Sequence, residues 1–129
     1  MPSEADAGVL TFGDVVLVAF PFTSQTAFKR RPAVVVSNRA YNLARPDVVV
    51  MAVTSPMRSQ PSVGEVWIGG WAEAGLVKPS AVKPVIATLA RGLVIRRLGA
   101  LNDADRSGYF GDSALIRSRA QGAAQQQAN

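Results

Sequence analysis

Apolar residues in this chain arrive in short runs rather than in long amphipathic stretches, and that limits it to a fold built of strands. Val15-Val16-Leu17-Val18-Ala19-Phe20, Pro32-Ala33-Val34-Val35-Val36-Ser37 and Asp47-Val48-Val49-Val50-Met51-Ala52-Val53-Thr54 are rich in β-branched side chains. Runs of this length and composition, bounded by Gly, Pro or Ser, favour buried strands. Gly13-Asp14 opens the first, Pro21 closes it, and Ser55-Pro56 ends the third. Between the first two lies a polar connection over 22–28, so the pair reads as a hairpin with a long loop.

The remaining segments are weaker. Residues 40–43 suit a single helical turn, closed by Pro46. Glu65-Val66-Trp67-Ile68 alternates like a half-exposed strand and stops at Gly69-Gly70. Residues 81–89 form a fifth strand, in which Pro84 is compatible only with an edge or a bulge. Residues 93–98 suit either a last short strand or the start of a helix, with strand favoured, and Asn102-Asp103-Ala104-Asp105 has the N-cap and acidic first turn of a helix, interrupted soon after by Gly108 and Gly111. Five or six short strands with little helix before the end describe a small, strongly bent β-barrel or an all-β sandwich, and the pattern alone does not choose between them. Residues 1–12 read as a flexible leader, 13–117 as one domain and 118–129 as a disordered polar tail, with no internal repeat.

Charge narrows the function. Fourteen Lys and Arg oppose nine Asp and Glu, for a net charge of +5, which suits a polyanionic partner. Eleven of the cations are Arg, the type fitted to bidentate phosphate contacts. The chain has no Cys and no His, which removes disulfides, thiolate nucleophiles, the usual zinc ligands and the usual general acid or base. The N-terminus lacks the basic start and apolar centre of a secretory signal, and no apolar run reaches about 18 residues, so a cytosolic protein is expected. The densest cationic stretch, Lys29-Arg30-Arg31, runs straight into the second strand. That places cations at the lip of a rigid sheet, where a phosphate chain could be held.

Four segments in order, Gly13-Asp14-Val15-Val16, Arg31-Pro32-Ala33-Val34-Val35-Val36-Ser37-Asn38, Ala52-Val53-Thr54-Ser55 and Lys78-Pro79-Ser80-Ala81-Val82-Lys83-Pro84, resemble the MazF/PemK-like toxins of bacterial type II toxin-antitoxin systems. The resemblance covers roughly residues 13–106. It implies a mainly β fold, an SH3-like small barrel of MazF/CcdB type with a short C-terminal helix. It further implies a cytoplasmic homodimer that cleaves single-stranded RNA, a cognate antitoxin, operator DNA bound only through the antitoxin complex, and no membrane partner. No cofactor and no metal are implied: the ribose 2′-OH attacks the neighbouring phosphate and leaves a 2′,3′-cyclic phosphate. By the same resemblance Arg31 and Thr54 are catalytic. Lys29, Arg30, Phe28, Ser55, Arg58 and Lys83 are then expected to contact RNA, with Phe22, Phe28 or Trp67 available to stack a base. Two other readings follow from related toxins: a gyrase-binding poison of CcdB type that is not an enzyme, and a cleavage-inactive relative that binds antitoxin and DNA.

Each of these residues also has a plainer role. Lys29, Arg30 and Arg31 suit a solvated turn that protects a sheet edge, and Thr54 is a β-branched residue at a strand end. Trp67 and Trp71 suit core or dimer-interface anchors, Arg96-Arg97 the sheet rim, and Asp14 a turn. The chain departs from the family pattern in two places. Ala27-Phe28-Lys29-Arg30 stands where a Gly-rich loop is frequent, and the C-terminal helix is interrupted by glycine.

Overall fold

The run from Asp47 to Thr54 is apolar at nearly every position, and a strand of that kind needs cover on both faces. In the computed structural model, which describes residues 8–21, 28–55 and 63–107, it is the third of six antiparallel strands. Chain order is β1 (Asp14–Pro21), β2 (Phe28–Val35), a short helix α1 (Arg39–Ala44), β3 (Asp47–Thr54), β4 (Val66–Trp67), β5 (Ala81–Ala90), a single 3-10 turn (Arg91–Leu93) and β6 (Val94–Ala100). A second helix, α2, is described over 103–107. Asn102 caps it as its sequence suggests, its Oδ1 accepting from Asp105 N at 2.7 Å. The sheet runs β4-β5-β3-β2-β1-β6, so β3 has a hydrogen-bonded neighbour on each side.

A three-residue link gives the sheet its shape. β5 and β6 lie four strand positions apart, which in a flat sheet is roughly 19 Å. Only Arg91–Leu93 joins them, and a chain from Ala90 to Val94 reaches at most about 14 Å. The sheet therefore curls. Two irregularities in the β1–β6 ladder, at Val15/Val16 and Leu17/Val18, add the local bend that such bulges bring. Leu93 and Val94 meet Val16, Val18, Phe20, Ala33, Val35, Val48, Val50 and Leu89 on one face, which is the enclosed one. The other face carries Val15, Val34, Met51, Val53 and Val82, covered by Ile68, Ala74, Leu76 and Leu101, with Trp71 packed alongside.

The small-barrel expectation is met in a loose form. The fold is mainly β and strongly curled, but among the described residues no ladder joins β4 to β6, so the sheet stays open. The basic cluster also differs from expectation. β2 begins at Phe28, and Lys29, Arg30 and Arg31 pair with Phe20, Ala19 and Val18 of β1. Backbone pairing makes no demand on side-chain polarity, so the hairpin ladder continues through three exposed cations that stand ahead of the apolar run. Residues 8–12, expected in the leader, contribute to the domain, because Leu10 is buried in the enclosed core. The tail at 118–129 and the glycines at 108 and 111 lie outside the described residues.

Two buried polar groups tie these elements together. Asn42 of α1 is 1% exposed. Its Nδ2 donates to Leu10 O at 2.7 Å and to Ser37 O at 3.1 Å, while its Oδ1 accepts from Ser37 Oγ at 2.5 Å. Arg91, in the β5–β6 link, donates to the carbonyls of Asn42 and Arg45 at the end of α1, which would otherwise lack partners. Asp14 is buried as well, accepting from Thr11 N at 2.9 Å and pairing with Arg97 Nε at 3.1 Å, so it is more than a turn residue. On the outer face the 69–75 turn presses against β6. Gly75 has φ +87°, and a Cβ there would strike the Leu98 carbonyl.

Two stability changes follow. Asn42→Ala leaves two buried carbonyls unpaired and is expected to lower unfolding free energy by about 3 kcal/mol in guanidinium titrations. Gly75→Ala combines a left-handed backbone with a collision and is expected to cost at least about 2 kcal/mol in the same measurement. An unchanged midpoint for either variant would contradict the packing described.

Candidate active site

The β2–β3 ladder is short. It holds only Ala33↔Ala52, Val34↔Met51 and Val35↔Val50. Pro32 stands immediately before it, and a residue with no N–H cannot carry such a ladder further. Extending the register by two residues aligns Arg31 with Thr54, at the point where cross-strand pairing has stopped. A cleft of about 340 Å³ opens there, lined by Phe20, Arg31, Ala52, Val53, Thr54, Lys83 and Val85.

Strand alternation explains why these side chains share the cleft. Arg31 lies two residues from Ala33, and Thr54 two from Ala52, both of which belong to the enclosed face. Lys83 arrives by a different device. In the β3–β5 ladder Met51 pairs with Ile86 and Val53 with Val82, so Lys83, Pro84 and Val85 together face Ala52. The sequence allowed Pro84 an edge or a bulge, and it has both. β4 pairs only with Ala81 and Val82, and no described strand flanks β5 beyond them. The bulge brings Lys83 and Val85 to the wall opposite Arg31.

The arrangement suits a phosphodiester. Arg31 and Lys83 stand on the two strands that flank β3, with the Thr54 hydroxyl on β3 between them. No carboxylate is among the described lining residues, so the cleft is strongly cationic. A guanidinium offers two parallel N–H donors to phosphate oxygens, an ammonium supplies a point charge, and a hydroxyl can donate or accept. Phe20, Ala52 and Val85 add an apolar wall on which a base or ribose could rest. Because the polar groups sit on strands rather than on free loops, their spacing is held by the ladders.

The other expected contacts are placed differently. Lys29 is exposed two residues before Arg31, on the same side of β2, but does not line the cleft. Arg30 is exposed, and alternation turns it to the opposite face. Ser55 is half-buried beside the cleft, its Oγ 3.0 Å from Ser80 Oγ. Ser80 Oγ donates to Lys78 O at 2.8 Å, so Ser55 donates to Ser80. Phe28 begins β2, with its side chain outside the described residues, as are Phe22 and Arg58 altogether. Trp67 pairs with Ala81 on β4 and is not in the cleft lining. Phe20 and Val85 line the cleft although the sequence does not single them out. Phe20 reads as the last core residue of its strand, its one hint being the Pro21 that follows; Val85 carries no signal, since the bulge that aims it is a property of two paired strands.

Solved structures share this fold at low sequence identity. An endoribonuclease from a mycobacterial species superposes with a TM-score of 0.61 at 21% identity, over 88% of this chain and 92% of that one. An endoribonuclease in complex with its cognate antitoxin, also mycobacterial, gives 0.61 at 20% identity, over 88% and 94%. A MazE-MazF complex from Deinococcus radiodurans gives 0.62 at 22% identity, over 84% and 95%. A comparison of the sequence with curated proteins gives no match. The sequence profile of the PemK-like, MazF-like toxins of type II toxin-antitoxin systems matches residues 11–107, and the chain belongs to that family.

Proposed function

We propose that this chain is the toxin of a type II toxin-antitoxin pair and an endoribonuclease acting on single-stranded RNA. The observation that carries the reading is the convergence of Arg31, Thr54 and Lys83 on one cleft free of described carboxylates, in a chain of a toxin family. Structural neighbours that are endoribonucleases support it. A backbone phosphate seats over β3, with the flanking ribose and base against Phe20 and Val85. Arg31 donates to the non-bridging oxygens as charge builds on them, and a fixed guanidinium does this without reorganisation. The Thr54 hydroxyl orients one phosphate oxygen. The neighbouring 2′-OH attacks phosphorus, the bond to the 5′-oxygen breaks, and a 2′,3′-cyclic phosphate remains. The reaction needs no metal. The active form is a homodimer in the cytoplasm, a cognate antitoxin silences it, and operator DNA is reached only through that complex. Lys29, and Arg58 from outside the described residues, contact flanking phosphates and add affinity that falls with salt.

Purified protein in EDTA is expected to cut single-stranded RNA and leave cyclic phosphate ends, read by mass spectrometry of the products. Arg31→Ala should slow cleavage by about 10²- to 10³-fold, the usual cost of removing a donor to developing oxyanion charge. Thr54→Val, which keeps the strand-forming shape, should cost about tenfold, one hydrogen bond's worth. Cleavage that appears only with added divalent metal would overturn the metal-free chemistry. Unchanged cleavage by Arg31→Ala would remove Arg31 from the site. Intact RNA together with inhibited gyrase supercoiling would replace the nuclease reading by the gyrase one.

A further inference from the structure

We infer that Lys83 is the general acid of the cleft, its ammonium protonating the 5′-oxygen that departs when the RNA chain is cut. The inference rests on the nuclease reading above and adds to it the fate of the leaving group.

An alkoxide leaves poorly unless a proton reaches it as the bond breaks. The side chains that usually supply this proton are absent: the chain has no His and no Cys, and the described cleft lining has no carboxylic acid. Arg31, Thr54 and Lys83 are the proton-bearing side chains that remain there. An ammonium is a compact donor that gives up a proton more readily than a guanidinium or an alcohol does. Of these three side-chain types the lysine ammonium is the one chemically suited to hand over a proton.

Its position fits that role. Arg31 on β2 and Lys83 on β5 flank β3, their backbones roughly 10 Å apart across two strand spacings. In-line displacement puts the attacking and leaving oxygens on opposite sides of phosphorus. A phosphate over Ala52 and Thr54 has the Arg31 strand on one side and the Lys83 strand on the other; with Arg31 on the equatorial, charge-bearing oxygens, Lys83 takes the apical side of the leaving oxygen, away from the attacking 2′-oxygen. Lys83 is half-buried, and among the described residues it has no hydrogen-bond or ion-pair partner. Among those residues its three protons are uncommitted. The β5 bulge at Lys83, Pro84 and Val85 is what brings the ammonium over the floor.

The step balances without a further reactant. The 2′-oxygen forms a bond to phosphorus and gives its proton to solvent water. The bond from phosphorus to the 5′-oxygen breaks with its electron pair on that oxygen, which takes a proton from Lys83 Nζ. The neutral amine then regains a proton from solvent.

The test compares the parent protein, Lys83→Gln and Lys83→Arg on two matched single-stranded RNA substrates. One is natural, and the other carries sulfur in place of the bridging 5′-oxygen at the cleaved position. A thiolate, with a pKa near 8.5, leaves without help from an acid. On natural RNA, Lys83→Gln is expected to be about 10²-fold slower or more, the usual range for a lost general acid. On the sulfur substrate it should cut nearly as fast as the parent. Lys83→Arg keeps the charge but not the acidity, so it should remain slow on natural RNA and recover on sulfur. Thermal melts of both variants should match the parent, since Lys83 lies in a bulge outside the core. If both substrates slow equally and Lys83→Arg restores the rate, Lys83 only holds phosphate and the inference is overturned. Parent-like rates for Lys83→Gln on natural RNA overturn it too. A parent protein that cuts neither substrate overturns the nuclease reading itself, and the inference with it.

Discussion

The link between β5 and β6 is too short for a flat sheet, and the rest of the architecture follows from that shortage. Three residues hold the ends of two strands that sheet order keeps far apart, so the sheet wraps around one apolar face. Arg91, inside the link, also holds the last carbonyls of α1, which fastens the helix to the same corner. Once the sheet has wrapped, its enclosed face has an end, and there the apolar residues give way to Arg31, Thr54 and Lys83. The cleft is thus the place where the core runs out rather than a separate construction on the surface.

A single proline decides where that end falls. Pro32 closes the ladder between β2 and β3, and the two strands separate there although Val53 still carries the outer core onward along β3. A phosphate can then reach a guanidinium standing on a strand that β1 still holds through Val18. Rigid support on one side and open backbone on the other suit a site that stabilises charge by placement, the main resource of a chain with neither His nor Cys.

Much of this was legible in the sequence. The apolar runs and their Gly and Pro boundaries give five of the six strands nearly to the residue, because a strand core leaves its mark in each residue's own polarity. Of the residues that line the cleft, family resemblance singles out Arg31 and Thr54 as candidates, and Lys83 only as a lesser RNA contact. The rest depended on relations between strands. Lys29, Arg30 and Arg31 read as the lip ahead of a strand that begins at Pro32, yet β1 pairs with all three; pairing is a property of the backbone partner. Asn42 and Asp14 looked like ordinary polar residues, and their burial comes from Leu10, Ser37, Thr11 and Arg97, none of which is a recognisable motif. The open edge of the sheet and the aim of Lys83 come from register, which a one-dimensional pattern carries weakly.

Proline at position 84 also interrupts an exposed sheet edge. Beyond Val82 the outer edge of β5 has no described neighbour, and Val85 and Ile86 are exposed there. An unpaired edge bearing apolar side chains is a template on which another chain can add a strand. Pro84 removes one donor from that edge, the bulge bends it out of plane, and Lys83 adds a charge that resists stacking of like chains. The irregularity that brings Lys83 to the cleft therefore also makes the described edge of β5 a poorer template for strand addition than a smooth strand would be.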